Sequence, residues 1–151
     1  MKKILYPILL LITMSSYAEV DYFTLKTSEN KRVKISRSEL ESLPFHVIST
    51  STNYTDRDVF VGVKISDFIK RYDIAGNEIR AFAWDAYSFT LPVNEAVKYS
   101  AIIAYKKGGH YMSVSELGPF AVIYPRDDIE TKEWLAIDAK TVWQVKSLEV
   151  K

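Results

Sequence analysis

Histidine and cysteine carry most nucleophilic, general-base and metal-ligand chemistry, and this chain is poor in both. It has no cysteine and two histidines, His46 and His110. Most zinc, haem and iron–sulfur ligand sets are therefore out of reach. A serine triad needs a histidine base. His46 falls in a strand-like stretch and reads as structural; His110 follows Gly108-Gly109 in a turn and reads as exposed. Paired carboxylates occur at Asp127-Asp128 and at Glu130 and Glu133, but among Arg126 and Lys132, which reads as a solvated loop. No G-x-S-x-G, H-E-x-x-H, phosphate-loop or dinucleotide-loop pattern is present. Asn53-Tyr54-Thr55 fits a glycosylation sequon, a short pattern that carries little weight.

The start of the chain bounds where any chemistry would occur. Lys2 and Lys3 precede an apolar run from Ile4 to Ile12, and Ser16-Tyr17-Ala18 supplies small residues around a cut. This pattern predicts a secretory signal peptide over residues 1–18, cleaved after Ala18. The run is short of the roughly 20 residues that span a bilayer, so no membrane insertion is expected after cleavage. Without a twin arginine, export should follow the general route in the unfolded state, into the periplasm. Loss of Lys2 and Lys3 takes the formal charge from +1 to about −1. A near-neutral chain without basic clusters is not expected to bind nucleic acid.

The remaining residues, 19–151, make one domain's worth of chain. Val20 to Thr27 and Arg32 to Ile35 read as strands around a polar turn. Ser36 can cap a helix over Arg37 to Ser42 that stops at Pro44. Phe45 to Ser49 reads as a strand running into a polar stretch, Thr50 to Asp58. Ser66 is expected to cap a helix over Asp67 to Tyr72. Ile79 to Trp84 and Tyr87 to Leu91 form a hairpin turning at Asp85-Ala86. Asn94 to Tyr99 reads as a weak helix, and Ala101 to Tyr105 as a buried strand. Phe120 to Tyr124 and Val142 to Val150 complete the strands. Many strands with few helices predict an α+β domain.

Several segments, in order, resemble the sulfite oxidase-like, molybdopterin-binding domain family. Leu43-Pro44 with Val47 to Thr52 resembles the strand and loop that carry the molybdenum-ligating cysteine there. Phe60 to Ile69 resembles the element F-x-G-V-x-L-x-D-L-L, and Asp85 to Pro92 the hairpin N/D-G-Y-S-x-x-I-P. Gly118-Pro119 with Tyr124-Pro125, and Val142 to Val145, resemble its later segments. The resemblance covers roughly residues 43–150 and implies a mixed-sheet α+β fold. This chain departs from the pattern in two places: no cysteine occupies the Thr50 loop, and Ala86 stands where the hairpin has glycine. The chain looks like the small stand-alone periplasmic branch without the ligating cysteine. The resemblance then implies no covalently held cofactor and no molybdenum, but a reversibly bound pterin.

A pterin ring needs an aromatic to stack on its face and a carboxylate to accept from its paired N–H donors. Tyr54, Trp84, Tyr87, Tyr124, Trp134 and Trp143 are the aromatic candidates, Asp85 and Asp127 the carboxylates, and Arg126 the cation; Thr50 and Thr52 could add hydroxyls. The binding set expected is Thr50, Thr52, Tyr54, Asp85, Tyr87, Tyr124, Arg126 and Trp143. The resemblance implies a non-enzymatic periplasmic pterin binder that relays to a membrane sensor controlling cyclic-di-GMP. Two alternatives stay open: a molybdopterin-dependent oxidoreductase, or its subunit, without cysteine ligation, and an adaptor whose pocket is vestigial.

Overall fold

The computed structural model describes residues 20–151. The expected signal peptide lies outside them. Among the described residues no helix is long and apolar enough to cross a membrane. The described residues form an α+β domain of two five-stranded sheets and four short α-helices. In the first sheet the strand order is β2 (Arg32–Ser36), β1 (Tyr22–Lys26), β10 (Val145–Val150), β5 (Glu78–Ala83), β6 (Ser88–Pro92). The second runs β3 (Phe45–Thr50), β4 (Asp58–Lys64), β7 (Ile102–Lys107), β8 (His110–Tyr111), with β9 (Ala121–Ile123) also paired to β7. Pairing is antiparallel except for β1 beside β10, so the sheet is mixed.

Side-chain alternation places the core. Phe23, Leu25, Ile79, Ala81 and Leu148 of the first sheet meet Val63, Ile103 and Val122 of the second. Phe68 of α2 (Ile65–Arg71) and Ala96 of α3 (Val93–Lys98) close this core. The other face of the second sheet has its own smaller core of Ile48, Phe60, Ile102, Ala104, Ala121 and Ile123, covered by Met112 and Trp143. β7 is therefore buried on both faces, which is why its sequence is a continuous apolar run. Gly62 lets β4 approach β7: a Cβ there would lie 2.1 Å from the Ile103 carbonyl oxygen.

Local signals explain most elements. Ser36 caps α1 (Arg37–Glu41) in a reciprocal box with Glu39. The 5–6 hairpin turns at Asp85-Ala86, where the Asp85 carboxylate accepts from the Tyr87 N–H at 3.0 Å. Three expectations are corrected and one strand is added. Ser66 does not cap α2: the helix begins at Ile65, whose N–H donates to the Ala101 carbonyl, so the adjoining segment satisfies the end. The final strand begins at Val145 because Gln144 adopts φ 50° and turns Trp143 into the smaller core. Asp58–Lys64, where no element was expected, forms β4 between β3 and β7. The acidic segment is solvated at Asp128 and Glu130 as expected, but it is not an irregular loop: it makes two 3₁₀ turns, tethers Asp127 and leads into α4 (Trp134–Lys140).

Candidate functional site

A cleft of about 410 Å³ opens where the small core reaches the surface. Its floor is Trp143, 7% exposed, resting on Phe60 with ring centroids 6.1 Å apart. One wall is the turn from Thr52 to Thr55. Thr52 Oγ1 accepts from the N–H groups of Tyr54 and Thr55 at 3.1 and 3.0 Å, which fixes Asn53 and Tyr54 at the tip. Tyr54 is 68% exposed and meets Trp143 edge-on at 6.4 Å and 83°. The 5–6 hairpin supplies the second wall through Ala83, Asp85 and Tyr87. The Tyr87 hydroxyl donates to the Ala139 carbonyl at 2.7 Å and ties this wall to α4. Burial, then the neighbouring Tyr54, pushes the Tyr87 phenol up, so it stays protonated as a donor. α4 and its end give the third wall: Leu135, Asp138, Ala139 and Thr141.

A polar network holds the Tyr54 wall in place. The Asp127 carboxylate accepts from Ser51 N–H at 2.9 Å and Ser51 Oγ at 2.5 Å, and pairs with Arg57 at 2.8 Å. The Asp127 N–H donates to Thr50 Oγ1 at 3.1 Å. Burial opposes ionisation of Asp127, but the Ser51 hydrogen bonds and the Arg57 and Arg126 charges outweigh it and hold its pKa below the usual carboxylate value. Arg126 lies between this network and the cleft. Its Nε is 2.7 Å from Asp138 Oδ1, its Nη2 donates to Oδ2 at 3.2 Å, and its guanidinium stacks 3.8 Å from the Trp134 ring centroid.

The structure thus brings four of the eight expected residues into the cleft lining: Tyr54, Asp85, Tyr87 and Trp143. Thr50 and Thr52 are buried and shape the loop from behind. Arg126 stands behind Asp138. Tyr124 lies in the main core against Tyr99, and burial pushes its phenol far up. Of the other aromatic candidates, Trp84 and Trp134 are not in the lining, and Asp127 acts as a tether. Asp138 and Leu135 were missed because α4 was not recognised; Leu135, Ala136 and Ala139 are helix formers that mark it. Gln144 and Leu117 reach the cleft through irregular backbone that has no sequence pattern.

Among the described residues the lining holds no histidine, lysine, arginine or cysteine. Among the described residues no cluster of three or more metal-ligating side chains occurs. His46 is half-buried in β3, where burial and then Lys64 lower its pKa; it faces a separate groove of about 260 Å³ with Tyr99 and Asp128. His110 is exposed at the start of β8.

No family model matches the chain, and no curated protein matches it in sequence. The structure is similar to that of the sulfane dehydrogenase SoxCD from Paracoccus pantotrophus, with TM-score 0.64 and 13% identity. The match covers 85% of this chain and 37% of that one. The neighbour has a sulfite oxidase-like fold, so the expected α+β fold holds and the relationship is a distant one of fold.

Proposed function

We propose that this protein is a reversible, non-enzymatic binder of a pterin-class heterocycle. In this reading it works in the periplasm and relays its occupancy to a membrane signalling protein of the kind that controls cyclic-di-GMP. The observation that carries the binding role is the convergence of Tyr54, Tyr87 and Trp143 with Asp85 around a cleft of about 410 Å³. That volume suits a small flat ligand. Aromatic faces stack on the ring without discriminating its substituents, and a carboxylate accepts from an amidine-like N–H edge. The hydroxyls of Tyr87 and Thr141 are engaged with carbonyl oxygens, and no histidine lies beside them to make a nucleophile. The chain has no thiol to ligate molybdenum. The relay role is supported by the resemblance and by the exposed Tyr54 and Leu135 at the cleft mouth, where a partner could sense the ligand.

Titration with oxidised and reduced pterins tests the binding role. Saturable quenching of tryptophan fluorescence is expected, because Trp143 forms the floor. It should be lost in Tyr54→Ala and kept in Tyr111→Ala, whose hydroxyl pairs with Glu41 away from the cleft. Equal loss in both variants, or stoichiometric molybdenum in the purified protein, would overturn the proposal.

A further inference from the structure

The charges around the cleft are one-sided. Asp85 and Asp138 line it, and among the described residues no cation does. Asp138 is matched by Arg126, whose guanidinium is already committed to Asp138, Ser51 and Trp134 and is largely buried. Asp85 has no ion-pair partner among the described residues; its one bonded oxygen accepts from the Tyr87 N–H. α4 has seven residues and begins without a side-chain cap, so it offers no built anion site.

We infer that the cleft selects its ligand by charge: it takes pterin-class rings with uncharged substituents and excludes phosphorylated ones. The inference rests on the pterin reading above and gives it a chemical class. The stacking aromatics accept either form, so discrimination falls to the tail. A phosphate ester brings a charge of about −1.5 to −2. At this cleft it finds no cation in the lining and faces the Asp85 carboxylate. At the spacing of one ring's width, repulsion of that kind weakens binding by about tenfold or more. The same lining misfits the molybdenum cofactor of the resembled family twice, since that cofactor needs a thiolate for its metal and a cation for its phosphate.

Calorimetric titration of the purified protein with 6-hydroxymethylpterin and with its monophosphate ester reads the preference as a ratio of dissociation constants. The parent should favour the alcohol by about tenfold or more. Asp85→Asn, which removes the opposing charge, should narrow the ratio. Leu135→Arg adds a cation at the mouth, where the side chain is 85% exposed, and should narrow it further. Equal or tighter binding of the phosphate ester by the parent overturns the charge selection and leaves the pterin reading standing. A ratio unmoved by both variants shows that charge is not the discriminator and also overturns the inference. Failure of both ligands to bind removes the pterin reading itself.

Discussion

Replacing Asp127 by alanine should loosen the wall that carries Tyr54. The Asp127 side chain is 10% exposed and accepts two hydrogen bonds from Ser51, one from the N–H and one from the hydroxyl. Hydrogen bonds to a charged acceptor contribute about 1.5–3 kcal/mol each. The two share one carboxylate, and water can enter the opened loop, so the loss should be about 2–3 kcal/mol rather than their sum. The Arg57 pair adds little, because the Arg57 side chain is 63% exposed. For a domain of this size each kcal/mol lowers the melting temperature by about 3–5 °C, giving a fall of about 6–15 °C. Circular dichroism melts of the parent, Asp127→Ala and Arg57→Ala measure this, and Arg57→Ala should stay within about 0.5 kcal/mol of the parent.

Acid should erase the difference. The folded-state pKa of Asp127 lies below its unfolded value, so its contribution is fully present above the unfolded carboxylate pKa of about 3.9 and is lost as pH falls through the lowered folded value. The gap between parent and Asp127→Ala should be constant from pH 6 to 8 and shrink as pH is taken below about 4. An Asp127→Ala variant that melts within about 0.5 kcal/mol of the parent at neutral pH would refute the tether. A gap that widens in acid would refute the charge assignment.

Two backbone positions give sharper tests of the fold. Gly62→Ala forces a methyl to 2.1 Å from a carbonyl oxygen in the middle of the second sheet, so a loss of about 3 kcal/mol or more is expected, read as a collapsed melting temperature or insoluble protein; a near-parental melt would contradict the close approach of β4 and β7. Ala86→Gly should stabilise, because Ala86 holds φ 70°, a conformation that costs an L-residue about 1–2 kcal/mol. Glycine's larger unfolded-state freedom returns part of that, leaving a net gain of about 0.5–1 kcal/mol in denaturant midpoint; a loss of stability would show that the turn is not strained.

What was legible in the sequence was what local physics decides. Ser36 before a helix and alternation through Tyr87, Phe89 and Leu91 each specify an element from neighbouring residues alone. The glycine in the Phe60 to Ile69 pattern was visible as a resemblance, and the structure supplies its cause in the Ile103 carbonyl. β4 escaped because a strand buried between two others need not alternate. The role of Asp127 escaped because its partner Ser51 lies 76 positions away, a distance over which spacing carries no information. Ser66 was misread because a strong capping residue stood one position past a start that Ala101 satisfies. Half of the expected binding set reached the cleft because Tyr54, Asp85 and Tyr87 sit in turns next to readable elements. Asp138 entered through a helix whose apolar face had not been recognised.

The cleft is built on backbone that the chain holds under strain. Ala86, Leu117 and Gln144 all have positive φ, at 70°, 68° and 50°, and none is glycine. Such residues cost about 1–3 kcal/mol each and persist only where neighbours over-determine them. Gln144 is the junction: its N–H donates to the Leu117 carbonyl at 3.0 Å, its own carbonyl accepts from Trp84 N–H at 3.1 Å, and its side-chain amide donates to the Val114 carbonyl at 2.9 Å. Those bonds join three separate segments behind Trp143, so the floor is fixed before any ligand arrives. The side chains of Tyr54 and Leu135 make no hydrogen bond among the described residues and are the most exposed apolar side chains of the lining. A ligand that stacks on Trp143 therefore meets a preformed floor, and the adjustment on binding falls on the exposed Tyr54 side chain, whose turn Asp127 holds in place through Ser51.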